Sequence, residues 1–425
     1  MVLRVDAEAI FHAAVAAVLP EALLPQHLQR DGDRLRMPAL ELVWKLDRNV
    51  RLAAFGKAAP GMVRAAEAIL GEHIVAGVAS VPVGTALHDG VTEFHPGAAD
   101  NLPDRTAMEA AERIRVLAVG ASEGELLLVL MSGGGSALLP LPVVGITLEQ
   151  KLAATRALAT AGATIHELNA VRRHISALKG GRLAQLVAPA TVAALAISDV
   201  IGDPLPDIAS GPTVGDTSTY GDCLAIIERL GAELPPAVLA HIERGTAGEL
   251  EETPSATPQN ACTAVIGSNR LALEAASAAA VERGYEASII TDMLQGEARD
   301  AGKHIARHLA GERGRRCLLW GGETTVRVTG KGRGGRCQEL ALAAAIELQG
   351  GKGAGLLAAG TDGQDGATDT AGSWADGETV AREADALAAL ADNDAYEFLS
   401  PAGVLFRPGL TGTNVMDMVI GLVDR

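Results

Sequence analysis

Short apolar runs alternate with amphipathic stretches along most of the chain. Residues 51–55 (RLAAF), 75–81, 125–131 (ELLLVLM), 191–197 (TVAALAI), 263–266, 287–290, 317–320 and 356–359 are brief and apolar, and Gly, Ser, Asn or Asp follows most of them. Runs of this kind predict strands buried on both faces. Residues 6–19, 60–70, 103–119, 147–161, 168–178, 221–230, 237–244, 271–283, 296–309 and 339–345 predict helices. Thr147 with Gln150 forms a capping box, Pro60 and Pro103 stand where helices open, and Gly120 stands where one closes. Residues 94–97 and Asn101–Pro103 predict turns. Strand and helix in regular alternation predict an α/β fold with a parallel sheet. The polar, acidic, proline-containing stretch 246–260 (TAGELEETPSATPQN) predicts a linker between a domain at 5–245 and a second α/β domain at 261–425.

The composition fits that architecture. Of 425 residues, 48% are hydrophobic but only 3% aromatic, so the core must be built from Ala, Val, Leu and Ile. The net charge of −16 argues against a nucleic-acid surface, and any anionic substrate must be drawn in by a local basic cluster. The four cysteines form no C-x-x-C and no zinc spacing, and read as buried small hydrophobes in a reducing compartment. No signal pattern is readable at the N-terminus, and no apolar run approaches the ~20 residues of a membrane span. A cytoplasmic protein without membrane or nucleic-acid partners is expected.

The chemistry concentrates at strand ends. Residues 321–340 read GGETTVRVTGKGRGGRCQEL. The β-branched run 324–328 predicts a strand; a loop with Gly330, Gly332, Gly334 and Gly335 among Lys331, Arg333 and Arg336 follows, and then a helix. A strand, a bare backbone loop and a helix start predict an anion site. Gly330, Gly332 and Gly335 also satisfy G-x-G-x-x-G. An acidic residue should then lie about 20 positions on; Asp362 is too distant, and the loop's cations suit phosphoryl transfer better. Lys57 follows the strand at 51–55, placing it at the sheet edge where open α/β folds bind ligands. Ser132-Gly133-Gly134-Gly135-Ser136 follows the strand at 125–131 and reads as a nest for phosphate or carboxylate. Asp199 and Asp203 follow the strand at 191–197 and suit a Mg²⁺ ligand or a general base. Asn269 and the loop 360–366, with Asp362, follow two further strands. Asn169, Arg172 and Arg173 read equally well as a solvated helix face. G-x-x-x-x-G-K-[ST] is not present.

These residues resemble the two-domain glycerate 2-kinase family, which joins a glycerate-kinase domain to a MOFRL domain. The matching stretches are GKAAPGM at 56–62, HPGAADNLPD at 95–104, MSGGGSALL at 131–139, LNAVRRHISALKGGRLA at 168–184, ISDVIGDPLPDIASGPTVGD at 197–216, GGETTV with GRGGRCQEL, and GTDGQDGATDTAG at 360–372. The resemblance implies a larger Rossmann-like domain with a parallel sheet, a smaller α/β domain and an active site in the cleft between them. It implies phosphorylation of D-glycerate at the 2-hydroxyl with ATP and Mg²⁺. By motif position, Lys57 and Arg336 match the cationic pair on the phosphoryl group, and Asp199 serves the metal or the substrate hydroxyl, with Asp203 as a second metal candidate. Ser132, Gly133, Gly134, Gly135, Ser136, Asn269, Glu323, Thr324, Gly334, Gly335 and Asp362 are the candidate substrate- and phosphate-binding positions. NAD(P)H-dependent hydroxypyruvate reduction is the alternative activity, and a homodimer is an assembly the reading allows.

Overall fold

The computed structural model describes residues 2–47, 49–86, 88–99 and 102–425; the turn expected at Asn101 lies outside them. The chain forms two compact units. The larger comprises Leu23–Ser198 and Asp203–Ile266. The smaller comprises Met1–Ala22, Asp199–Gly202 and Gly267–Arg425.

In the larger unit, β1 (Gln29–Asp31), β2 (Arg34–Met37) and β3 (Leu42–Lys45) form a small antiparallel sheet that the periodicity does not announce. The main sheet comprises β4 (Val50–Phe55), β5 (Ile74–Pro82), β6 (Thr92–Gly97), β7 (Leu126–Ser132), β8 (Thr191–Ile197) and β9 (Ala261–Gly267), in the order β6-β5-β4-β7-β8-β9. The pairings from β6 across to β8 are all parallel. Counted from β4 as the first strand, the order is 3-2-1-4-5-6, the dinucleotide-fold order, whose switch point falls between β4 and β7. Every residue of β7 is buried, as expected of a strand covered on both faces. The edge strand β6 contains His95-Pro96-Gly97, the residues that predict a turn; an edge strand tolerates proline because one side of it needs no ladder donor.

The stretch 246–260 is not a free linker. Pro254 O accepts from Asp216 N at 2.8 Å, Glu252 meets both His174 and Tyr220 N, and β9 then joins the larger unit's sheet.

In the smaller unit, β10 (Glu286–Leu294), β11 (Arg315–Gly322), β12 (Ala354–Gly360), β13 (Gly372–Asp376), β14 (Leu405–Phe406) and β15 (Asp417–Asp424) form a sheet ordered β10-β11-β15-β12-β13-β14. Only β10 and β11 pair parallel; β15 runs antiparallel between β11 and β12. The helix Val2–Ala17 packs on this unit through Ala7, Ile10, Phe11 and Ala14, with the Phe11 ring edge-on to Phe406. Val2–His27 is long and apolar enough to cross a membrane by composition, contrary to the expectation that no stretch approaches that length. A turn interrupts it after Ala17, and half of its apolar window is buried within the protein.

No strand forms at 324–328. β11 and β15 both end their pairing at Gly322–Asp417, and β10 reaches Gly322 only at its last residue, Leu294. Residues 324–328 therefore have no ladder to extend, and only a single bridge, Glu297 to Thr325, remains.

Candidate functional site

In the larger unit the switch point brings two loops together. Phe55 and Met131 are register partners at the ends of β4 and β7. The chain leaves both strands side by side. Lys57 N donates to Gly133 O at 2.8 Å and Ala58 N donates to Ser132 Oγ at 2.9 Å. Gly56 has φ +123°, and a Cβ there would overlap Ser132. Only glycine lets the backbones approach this closely. Lys57 is half-buried and stands at the start of the helix Ala59–Leu70.

Several acceptors of the serine–glycine loop are already used within the protein. Ser132 is fully buried and its hydroxyl is taken by Ala58, the Gly133 carbonyl is taken by Lys57, and Gly135 is packed against Phe55 and Ala209. Ser136 is the half-buried end of the loop, with Gly134 before it. Ser136 Oγ lies 2.8 Å from Ser210 Oγ and accepts from Lys179 Nζ at 3.1 Å. Ala209 and Ser210 have φ of +51° and +62°. Two successive non-glycine residues in the left-handed region are costly, and such strain gathers at functional sites.

The helix Ile165–His174 is not a plain solvated face. Arg173 is buried and holds Asp207 Oδ1 at 2.8 Å and Asp216 Oδ1 at 3.1 Å. Lys151 and Lys179 are buried as well. Burial drives the Lys179 ammonium well below its ordinary pKa, with Arg172, Lys151 and Arg173 adding to the shift. The sequence offers no local signal for Lys151, whereas Lys179 lies within the family-matching stretch 168–184.

In the smaller unit, Arg336 opens the helix Arg336–Leu348. Its Nε and Nη2 reach the two Asp417 carboxylate oxygens at 2.5 and 2.9 Å, and Nη1 reaches Glu323 Oε1 at 2.6 Å. Burial opposes the guanidinium charge, but Asp417 and Glu323 outweigh it and hold its pKa above the usual arginine value. Burial likewise raises the Asp417 carboxyl despite Arg336. Asp365 accepts from the backbone amides of Cys337 at 3.1 Å and Gln338 at 2.8 Å, and burial pushes its pKa up to about 7.

That geometry corrects the reading of 329–336 as a bare anion nest. The helix N-terminus is already capped by Asp365. Thr329 N and Gly330 N donate to Asn393 Oδ1, Lys331 N to Asp392 Oδ1, Gly332 N to Asp392 O and Arg333 N to Asp394 Oδ1. A Cβ on Gly330 or Gly332 would overlap residues 392–394, and one on Gly335 would overlap Asp365. At Gly330, Gly332 and Gly335 the missing side chain makes room for protein atoms. The dinucleotide fingerprint is incidental: β11 ends at Gly322, eight positions before Gly330, and the next sheet neighbour is antiparallel.

The other candidates are placed as follows. Asn269 is buried and donates through Nδ2 to Val415 O at 2.7 Å and Asp417 O at 3.0 Å, so its amide braces the start of β15. Thr324 is buried and Gly334 half-buried. Asp362 is half-buried after β12, with Oδ1 accepting from Gln364 N at 3.0 Å. Asp199 is half-buried, with Oδ2 3.3 Å from Asn414 Nδ2; Asp203 has φ +54°. Among the described residues no three His, Cys, Asp or Glu side chains converge as a metal cage. A half-buried carboxylate fits Mg²⁺ nonetheless, because that ion takes one or two carboxylates and completes its shell with water and phosphate.

Comparison with known proteins places the chain in a family. A family model described as a domain of unknown function (DUF4147) matches residues 6–243, and the MOFRL family model matches 316–417. The chain is 40% identical to the protein named glycerate kinase of Homo sapiens, over 98% of this chain and 92% of that one. It is 42% identical to the D-glycerate 2-kinase of Thermotoga maritima, over 89% and 91%. A crystal structure of glycerate kinase from Thermotoga maritima superposes with a TM-score of 0.86 at 39% identity, covering 99% of each chain.

Proposed function

Because the chain belongs to the glycerate kinase family that joins a DUF4147 domain to a MOFRL domain, we propose that it transfers the terminal phosphoryl group of ATP to the 2-hydroxyl of D-glycerate. The observation that carries this reading is the pairing of the Gly56-Lys57 loop with Ser132–Ser136 at the switch point of the larger unit's sheet. Open α/β sheets bind their ligands at that place.

In this reading Lys57 neutralises charge on the transferred group, and its amide tie to Gly133 fixes where the side chain starts. Arg336 is the second cationic candidate for that role, its guanidinium held by both Asp417 carboxylate oxygens. Transfer of a phosphoryl group depends on position and charge neutralisation more than on covalent help from the protein. Asp199 and Asp203 are the candidate Mg²⁺ ligands, and a Mg²⁺ ion bound there would offset charge on the nucleotide phosphates. Asp199 can alternatively accept the proton of the substrate hydroxyl. The hydroxypyruvate reductase alternative has no support, since the loop it relied on donates its amides to residues 392–394. The compartment that fits is the cytoplasm, and the partners are the two small substrates.

The test is to mix the protein with ATP, Mg²⁺ and D-glycerate and follow ADP, with phosphorus NMR to identify the product. The expected product is 2-phosphoglycerate. 3-Phosphoglycerate would overturn the position of transfer, and absence of glycerate-dependent ADP would overturn the activity. Lys57→Ala and Arg336→Ala should both lose turnover; wild-type rates in either would remove that residue from the proposed pair.

A further inference from the structure

The larger unit holds a group of cations that its own acids leave unbalanced. Lys151, on the helix Leu148–Thr160, is 6% exposed, and its Nζ has no hydrogen-bond partner among the described residues. Lys179 is wholly buried and donates to Ser136 O at 3.0 Å and to Ser136 Oγ at 3.1 Å. Arg172 is half-buried, and its Nη1 reaches Asn169 Oδ1 at a long 3.4 Å. All three cations are close enough to repel one another. The acids nearby serve other groups: Asp207 and Asp216 hold Arg173, which leaves the same helix in another direction. Among the described residues no ion pair joins Lys151, Arg172 or Lys179 to a carboxylate.

A hydrogen-bonded chain runs through the group. Lys179 holds Ser136, Ser136 Oγ meets Ser210 Oγ at 2.8 Å, Ser210 donates to Asn169 Oδ1 at 3.4 Å, and Arg172 donates to the same Oδ1. Ser136 and Arg172 are its half-buried members. A buried cation without a counter-charge is expensive to maintain. An arrangement that retains one, beside strained backbone at Ala209 and Ser210, has the form of a site whose counter-charge arrives with a ligand.

We infer that Arg172 and Ser136 form an oxyanion seat for one of the two substrates, with Lys179 positioning the Ser136 hydroxyl and Lys151 supplying a buried charge that the ligand neutralises. The ligand chemistry is a carboxylate or phosphate group. The inference rests on the kinase reading for its two sources, the carboxylate of D-glycerate and the phosphates of the nucleotide. Ser136 lies on the loop that also carries the Lys57 tie, so the seat would hold its anion next to the proposed transfer site.

The test uses the full-length protein and ligands that do not turn over alone. D-glycerate without nucleotide and ADP without glycerate are titrated calorimetrically into wild type, Arg172→Gln and Lys151→Met. Arg172→Gln should weaken one ligand by about tenfold or more and leave the other within about twofold; a tenfold change is easily resolved. The ligand that weakens identifies the source. Below about pH 7, where the native Lys151 carries its proton, Lys151→Met should weaken the same ligand while raising Tm, since an apolar chain of similar length replaces an unpaired charge. A purely structural lysine would not show that opposition. Wild-type binding of both ligands by Arg172→Gln, equal weakening of both, or a lower Tm in Lys151→Met would overturn the inference. If wild type binds neither ligand, the kinase reading itself fails, and inorganic phosphate then serves as the probe of the seat with the same expected losses.

Discussion

Asp417 grips Arg336 through both carboxylate oxygens, at 2.5 Å from Nε and 2.9 Å from Nη2, with the Asp417 side chain only 9% exposed. The pair joins the first residue of β15 to the first residue of the helix Arg336–Leu348. Arg336→Ala strands the Asp417 charge in the interior. Breaking a buried pair by removing one partner costs ~3–5 kcal/mol, and the lower end applies here because Arg336 keeps 35% of its side chain exposed. Activity loss in that variant would therefore mix catalysis with stability. Arg336→Gln combined with Asp417→Asn removes both charges together. Urea unfolding should show the double variant recovering most of the stability lost in Arg336→Ala, while turnover stays down by two or more orders of magnitude, in keeping with about 10³–10⁵ for a transition-state arginine. Recovery of turnover along with stability would show that Arg336 is a structural brace only.

The Gly56–Ser132 approach gives a second prediction. Gly56→Ala must move a residue out of φ +123° and separate two packed loops. The backbone strain alone is about 1–3 kcal/mol, and the overlap with Ser132 adds to it. The tie between Lys57 N and Gly133 O should loosen, so kcat should fall even at temperatures where the variant is fully folded. A folded Gly56→Ala protein with wild-type kcat would separate this loop from the chemistry.

Much of this was legible because it is local. The Thr147–Gln150 capping box lies within one turn and forms as its spacing predicts. The apolar runs at β4, β7 and β8 need only their own residues to declare two buried faces. Lys57 and Ser132–Ser136 were findable because each follows such a run. Long-range partners were not legible. Nothing near Lys151 says that its amphipathic helix turns it inward. The amides of 329–333 read as free because their acceptors, Asp392, Asn393 and Asp394, lie some sixty positions on. The mixed order of the second sheet depends on β15, whose apolar run carries no mark of direction.

Two buried groups give pH dependences of opposite sign. Burial, with help from Arg172 and Arg182, lowers the Lys151 pKa from 10.5 to about 7. Between about pH 7 and 10.5 the unfolded chain holds this proton and the native protein does not, so Lys151 makes stability rise with pH over that window. Burial raises Asp365 from 3.8 to about 7, with Asp417 adding to the rise against the amides of Gln338 and Cys337. Between about pH 4 and 7 the native protein holds this proton and the unfolded chain does not, so Asp365 makes stability fall as pH rises. Urea unfolding at intervals from pH 5 to 9 should show Lys151→Met flattening the upper limb and Asp365→Asn flattening the lower one. Parallel curves for wild type and variant would refute the shift assigned to that residue.

Asn393 locks the basic loop. Its Oδ1 accepts from Thr329 N at 2.8 Å and Gly330 N at 2.9 Å, and its Nδ2 donates to Glu339 Oε2 at 3.0 Å and Arg327 O at 3.3 Å. It does so from φ +54°, a conformation asparagine tolerates better than most residues. Asn393→Ala removes these bonds together and leaves the buried Glu339 carboxylate to Arg299, whose Nε donates to Glu339 Oε1 at 2.8 Å. The loop is already exposed at Arg327, Lys331 and Arg333. Freed from Asn393, it should open locally well below the cost of global unfolding. Limited trypsin digestion of folded Asn393→Ala should cleave after these residues at least several times faster than wild type, with fragments mapping to the loop. Asn393→Asp should fall between the two, because it keeps the acceptor for both amides but sets a second carboxylate against Glu339. Equal cleavage rates in wild type and Asn393→Ala would show that the glycine–acidic backbone packing, rather than this side chain, holds the loop shut.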